Sequence, residues 1–187
     1  MNKLATKKMG IWCLAISLFA FHLLFRSVAH ADAPTSDWRP VFCKSGECSI
    51  SFPTKPQIVQ QNLPLSDGVH KLSYEIYLSP HEDKGVFLLL VATYPVPLGG
   101  GHEIAGLEGL LSGIVKHHSE NKLVFADLVE FQDHPTIQFL VEGKNNYFRG
   151  HAFMVDNKLY LIAMEGLKND KDETAYTKFL KSFSLKD

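Results

Sequence analysis

The seven consecutive apolar residues Val86-Phe87-Leu88-Leu89-Leu90-Val91-Ala92 constrain the fold of this chain more than any other stretch. A strand with one face in water alternates apolar and polar residues, so an unbroken run of this length fits a strand buried on both faces. Something must pack on each side of the sheet that contains it. Just upstream, over Val69 to Ser79, Leu72, Tyr74, Ile76 and Leu78 alternate with Ser73, Glu75, Tyr77 and Ser79, the period of a strand with one buried face.

A helical period follows. From Glu103 to His118, Ile104, Leu107, Leu110, Leu111, Ile114 and Val115 form one apolar stripe. Gly106, Gly109 and Gly113 lie on a neighbouring face, each costing about 1 kcal/mol against alanine. Close approach of that face to another backbone is the expected reason. Four strand-like segments come next, Leu123 to Phe131, Thr136 to Glu142, Tyr147 to Val155 and Lys158 to Gly166. Their short connections, Asp156-Asn157 among them, predict antiparallel neighbours. A second helix is expected from about Lys171 to Phe183, with Asp170 and Glu173 spaced as a capping box and Tyr176, Phe179, Leu180 and Phe183 inward. Before all of these, Arg39 to Cys43 and Cys48 to Phe52 read as an N-terminal hairpin around Lys44-Ser45-Gly46-Glu47. The order predicts an α+β fold with one mainly antiparallel sheet flanked by helices.

The first 31 residues read as an export signal. Lys3, Lys7 and Lys8 precede an apolar run from Met9 to Phe25, and Ala29-His30-Ala31 offers small residues to a signal peptidase. The alternative is an uncleaved anchor through residues 9–25, at the lower limit for spanning a bilayer. Cleavage leaves a polar tail over residues 32–38 and a single domain over 39–187. It also removes Lys3, Lys7, Lys8 and Arg26 but no acid, taking the formal net charge from −1 to −5. An acidic domain with scattered bases excludes nucleic acid as an expected partner. In an oxidising compartment Cys43 and Cys48 are expected to form a disulfide across the first hairpin.

The strand Cys48-Ser-Ile-Ser-Phe-Pro53, the run from Val86 to Pro95 before a helix, and Lys158-Leu-Tyr-Leu-Ile162 before Phe179-Leu-Lys-Ser-Phe183 carry a resemblance. Over about Arg39 to Leu185, in order and pattern, the chain resembles the PsbP-like superfamily, which includes the DcrB-like exported proteins. The resemblance implies a small accessory or binding domain rather than an enzyme, and transfers no catalytic residue.

A candidate ligand or partner surface follows from register. With Gly143 to Asn146 as a turn, Glu142 opposes Tyr147, Leu140 opposes Arg149 and Gln138 opposes His151, all on one face. Phe153 and Tyr160 extend that face, while Ile137, Phe139, Val141, Phe148, Ala152 and Met154 form the opposite, core face. Gln138, Glu142, Tyr147, Arg149 and His151 would suit a small anionic or sugar-like ligand. The alternative is a sheet face covered by a helix to which Arg149 and His151 bond. Gly100 and Gly101, in the glycine run before the first helix, are a second candidate contact, a loop or an anion-binding turn.

His102 and His117-His118 stand at opposite ends of one helix, about 20 Å apart at 1.5 Å per residue, and cannot share a metal. No metal or cofactor is expected. The functional expectation is an exported, non-catalytic accessory or binding domain, periplasmic or secreted, whose partner is an envelope protein or a small ligand and whose mature domain is not membrane-inserted. Two alternatives remain: a metal-assisted or acid–base hydrolase using His151 and Glu142, and a structural protein held by an uncleaved N-terminal helix.

Overall fold

Both faces of the apolar run are covered. In the computed structural model, which describes residues 38–64, 69–82, 84–95 and 102–186, the run lies in β5 (Gly85–Thr93) of a seven-stranded sheet. Val86, Leu88, Leu90 and Ala92 enter one core, and Phe87, Leu89 and Val91 enter the other. The neighbours of β5 are β4 (Lys71–His81) and β9 (Lys158–Leu167). Outward from β4 lies β3 (Gln57–Pro64), and outward from β9 lie β8 (Asn146–Val155), β7 (His134–Glu142) and β6 (Lys122–Phe131). Every pairing is antiparallel.

Helix α1 (His102–Lys116) carries the chain from β5 to β6 at the far edge, and three hairpins bring it back to β5. Its Leu107, Leu110 and Ile114 pack with Phe139, Val141 and Ala152 on one sheet face. The other face is covered by α2 (Glu173–Lys181) and by a small sheet of β1 (Arg39–Cys43), β2 (Cys48–Phe52) and β10 (Ser184–Leu185). Phe52, Tyr176, Phe179 and Phe183 pack there on Phe87, Phe153 and Tyr160. Among the described residues no helix is long and apolar enough to cross a membrane.

The expected elements form, with corrections. The N-terminal hairpin stands outside the main sheet, because β10 returns to pair with β2 and builds a second one. The molecule is therefore richer in sheet than a simple helix-flanked sandwich. β3 was not expected. It is an edge strand in which only Val59 and Leu63 pack on the core, so its apolar signal is short, and Pro56 and Pro64 bracket it as an edge permits. The cap of α2 is Asp172 rather than Asp170: its carboxylate accepts from Ala175 N at 2.9 Å. A Cβ on Gly113 would meet nothing within 4 Å, so close backbone approach does not explain that glycine. Trp38, placed in the tail from sequence, packs its ring on Phe87 at 5.0 Å. The export signal, tail residues 32–37, Gly100 and Gly101 lie outside the described residues.

A candidate binding cleft

The register expected for β7 and β8 is the one observed, with Gln138 opposite His151, Leu140 opposite Arg149 and Glu142 opposite Tyr147. Helix α2 occupies the middle of that face. His151 is only 6% exposed, and its Nδ1 lies 2.7 Å from the Tyr176 hydroxyl. Burial, aided by the nearby Arg149 charge, lowers the imidazole pKa to about 4, so the ring is neutral at pH 7. Arg149 places its guanidinium over the Tyr176 ring at 4.6 Å and pairs with Glu173.

Tyr147 is buried, with its hydroxyl 3.5 Å from Met164 Sδ. Gln138 is half-buried on the same face. At the rim, Glu142 binds Lys171 at 2.6 Å and Lys168 at 2.9 Å, and the hydrogen bonds to these ammonium groups hold its carboxyl down to about 2. These partners join α2 and its approach to the sheet. Glu142 and His151 are not brought together: their ladder positions differ by four residues, about 13 Å along the strands.

An opening lies at the other end of the same face, over β3, β4 and β5. Odd-numbered residues of β4 point toward the small sheet, as Tyr77 does in its core. Ser73 and Glu75 therefore share that face with Gln60 and Asn62 of β3 and with Val91 and Thr93 of β5, their ladder partners. The β1–β2 turn meets this face at Glu75, to which Ser45 is bonded. The result is a cleft of about 380 Å³, lined on this face by Ser45 and the β3 to β5 side chains.

The wall made by the turn is pinned at several points. Tyr160 donates its hydroxyl to Gly46 O at 2.8 Å, Lys186 N donates to Glu47 O at 2.7 Å, and Lys158 Nζ reaches Glu47 at 2.6 Å. Gly46 lies flush on the sheet. A Cβ there would come within 3.0 Å of both Cys48 Sγ and Val91 Cγ2. Ser45 donates its hydroxyl to Glu75, whose carboxylate also accepts from Tyr77 at 2.8 Å and from Gln60 Nε2 at 2.5 Å. Asn62 Oδ1 accepts from Ser73 at 2.6 Å. The cleft is thus a polar network around one carboxylate, on a pinned frame.

Cys43 and Cys48 close the turn as directly opposed residues, both fully buried, and are unbonded thiols in this structure. The hydrogen bond between them lowers the Cys43 pKa, while that bond and burial push Cys48 up. Sequence reasoning identified the cysteines and their turn but missed the cleft beside them. The signal was partial: Ser73 and Glu75 were legible as the polar half of β4, whereas Gln60 and Asn62 belong to a strand that was not expected.

No family model and no curated protein matches this chain. Solved structures do. The solution structure of cyanobacterial PsbP (CyanoP) from Synechocystis sp. PCC 6803 superimposes with a TM-score of 0.53 at 8% identity, covering 84% of this chain and 98% of that one. A crystal structure from Bacteroides thetaiotaomicron VPI-5482 gives a TM-score of 0.45 at 10% identity, covering 80% of this chain and 48% of the other. At such identities the similarity speaks to fold alone, and with the strand order and two covered faces described above it gives this chain a PsbP-like fold.

Proposed function

We propose that this chain is an exported, non-catalytic accessory domain of the cell envelope that acts by binding, with the cleft over β3 to β5 as its contact site. The observation that carries this reading is the cleft itself: polar side chains from three strands converge beside a turn anchored to β9, Lys186 and Glu75. Pre-formed concave sites with a few convergent polar groups are where small ligands and partner side chains are held. Export rests on the basic and apolar N-terminal sequence with its Ala-x-Ala ending. The Arg149 and His151 surface is a weaker contact in this proposal, since α2 already engages both side chains.

Two measurements test the reading. Mass analysis of the chain recovered from fractionated cells should show loss of residues 1–31 and recovery outside the cytoplasm; an intact N-terminus in the inner membrane would favour the anchored alternative. Amide resonances of the exported chain, followed against a chemically mixed small-molecule library, should shift saturably at Ser73, Glu75 and Thr93. Saturable shifts confined to other surfaces, or none, would remove the cleft as the contact site.

A further inference from the structure

Resting on that reading, we propose that the cleft takes a neutral, multiply hydroxylated ligand, a mono- or disaccharide unit, held between the Glu75 carboxylate and the side-chain amides of Gln60 and Asn62. The lining decides the class by elimination. Among the described residues Glu75 is the one acidic or basic side chain of the lining, so an anionic ligand meets a carboxylate with no described cation in the lining to offset it. A cationic ligand fares little better. The two carboxylate oxygens already accept from Ser45, Tyr77 and Gln60, which leaves about one of their roughly four acceptor positions open. One position suits a single hydroxyl and cannot satisfy the several donors of an ammonium group. Among the described residues Val91 is the one aliphatic and Tyr74, its hydroxyl bonded to Gln61, the one aromatic in the lining, too little surface to hold an apolar ligand.

What the network leaves available matches a sugar. The Asn62 amide spends its oxygen on Ser73 and keeps its N–H donors, and Gln60 spends one N–H on Glu75 and keeps the other. Thr93 adds a hydroxyl that both donates and accepts. The ligand thus faces donors, one residual anionic acceptor and a hydroxyl, and vicinal hydroxyls offer both roles at adjacent atoms. A volume of about 380 Å³ is at the small end of ligand sites, which run from about 300 to 1,000 Å³, and so sets the ligand at one or two rings.

The test is a titration of the exported chain, read by amide chemical shifts, with four probes used separately. These are glucose, the N-acetylglucosamine disaccharide, inorganic phosphate and the diamine putrescine. The expected result is saturable shifts at Gln60, Asn62, Ser73 and Thr93 with one or both sugars and none with phosphate or putrescine. Tighter binding of the amino-sugar disaccharide points to a wall glycan as the source, and tighter binding of glucose to a free sugar. Glu75→Gln should weaken sugar binding about tenfold. Because Glu75 also anchors Ser45, Asn62→Ala, outside that anchor, is the second variant, with an expected loss of about fivefold. Saturable binding of phosphate or putrescine at the cleft, with no response to either sugar, overturns the ligand class and leaves the binding-domain reading standing. Silence from every probe, with silence from the library, overturns both. Sugar binding unchanged in both variants overturns the placement of the site.

Discussion

His151 is the residue at which sequence and environment differ most. A histidine on a mixed strand face looks available for a ligand, yet here it is sealed under Tyr176 with its pKa lowered from the ordinary 6.5 to about 4. The folded protein therefore resists a proton that the unfolded chain accepts. Stability from this site is fully present above about pH 6.5 and falls away as pH drops toward 4, by about 3 kcal/mol in all. Thermal unfolding followed from pH 7.5 to 4.5 should show a falling midpoint, and His151→Gln should flatten that slope; an unchanged slope would remove His151 as its origin. Asp172 makes a second residue-scale case. Two aspartates stand two positions apart before α2, and the capping-box spacing pointed to Asp170. The helix starts where Ala175, Tyr176 and Phe179 reach the core, which puts Asp172 at the cap, where His81 Nε2 also meets it at 3.1 Å. Asp172→Ala should cost about 1 kcal/mol in denaturant unfolding, and Asp172→Asn, which keeps a capping oxygen, only part of it.

At the scale of elements, the two edges of the main sheet are managed differently. β3 presents Gln57, Gln60, Gln61 and Asn62 to solvent with one exposed aliphatic, Ile58, whereas β6 leaves Leu123, Val124 and Leu128 exposed, Leu128 at 61%. Gln132 and Asp133 both have positive φ and form a two-residue turn, so Phe131 and His134 are the hydrogen-bonded pair that closes the hairpin. Counting back by two, Ala126, Leu128 and Glu130 turn their backbone N–H and C=O groups outward. An apolar edge with free backbone groups is an aggregation risk. Leu128→Lys should lower light scattering during mild heating, with a stability change within about 0.5 kcal/mol; scattering equal to the parent protein would acquit this edge. The β1–β2 hairpin carries the other element-scale prediction. Its cysteines oppose each other at the end of the ladder, so a disulfide donor should join them with loss of two hydrogens in mass. The short closed loop limits the gain to about 2 kcal/mol, read as a higher unfolding midpoint that Cys43→Ala abolishes.

The whole molecule was legible where periodicity is dictated by burial. The run at Val86 required two covered faces and has them, and the register of β7 on β8 followed from one short turn. What stayed hidden depends on contacts distant in sequence. β10 exists because Ser184 and Leu185 find β2 across the entire domain, and the cleft exists because a turn at Ser45 lands on Glu75 beside an unexpected strand. Neither contact leaves a local pattern. The same architecture makes a test of cooperativity. Leu88 and Leu89 are adjacent in β5 but serve opposite cores, one under α1 and the other under α2 and the small sheet. Trp12 lies in the segment expected to be removed, so Trp38, on Phe87 and Phe179, reports by fluorescence on the α2 side alone. If β5 couples the two cores into one folding unit, Leu88→Ala should lower the Trp38 unfolding midpoint as much as the far-ultraviolet circular dichroism midpoint, at a cost of about 2–5 kcal/mol. Leu89→Ala should do the same from the other side. A Trp38 transition that ignores Leu88→Ala would mean that the small sheet and α2 unfold apart from the α1 side, and that the cleft between turn and sheet opens before the domain melts.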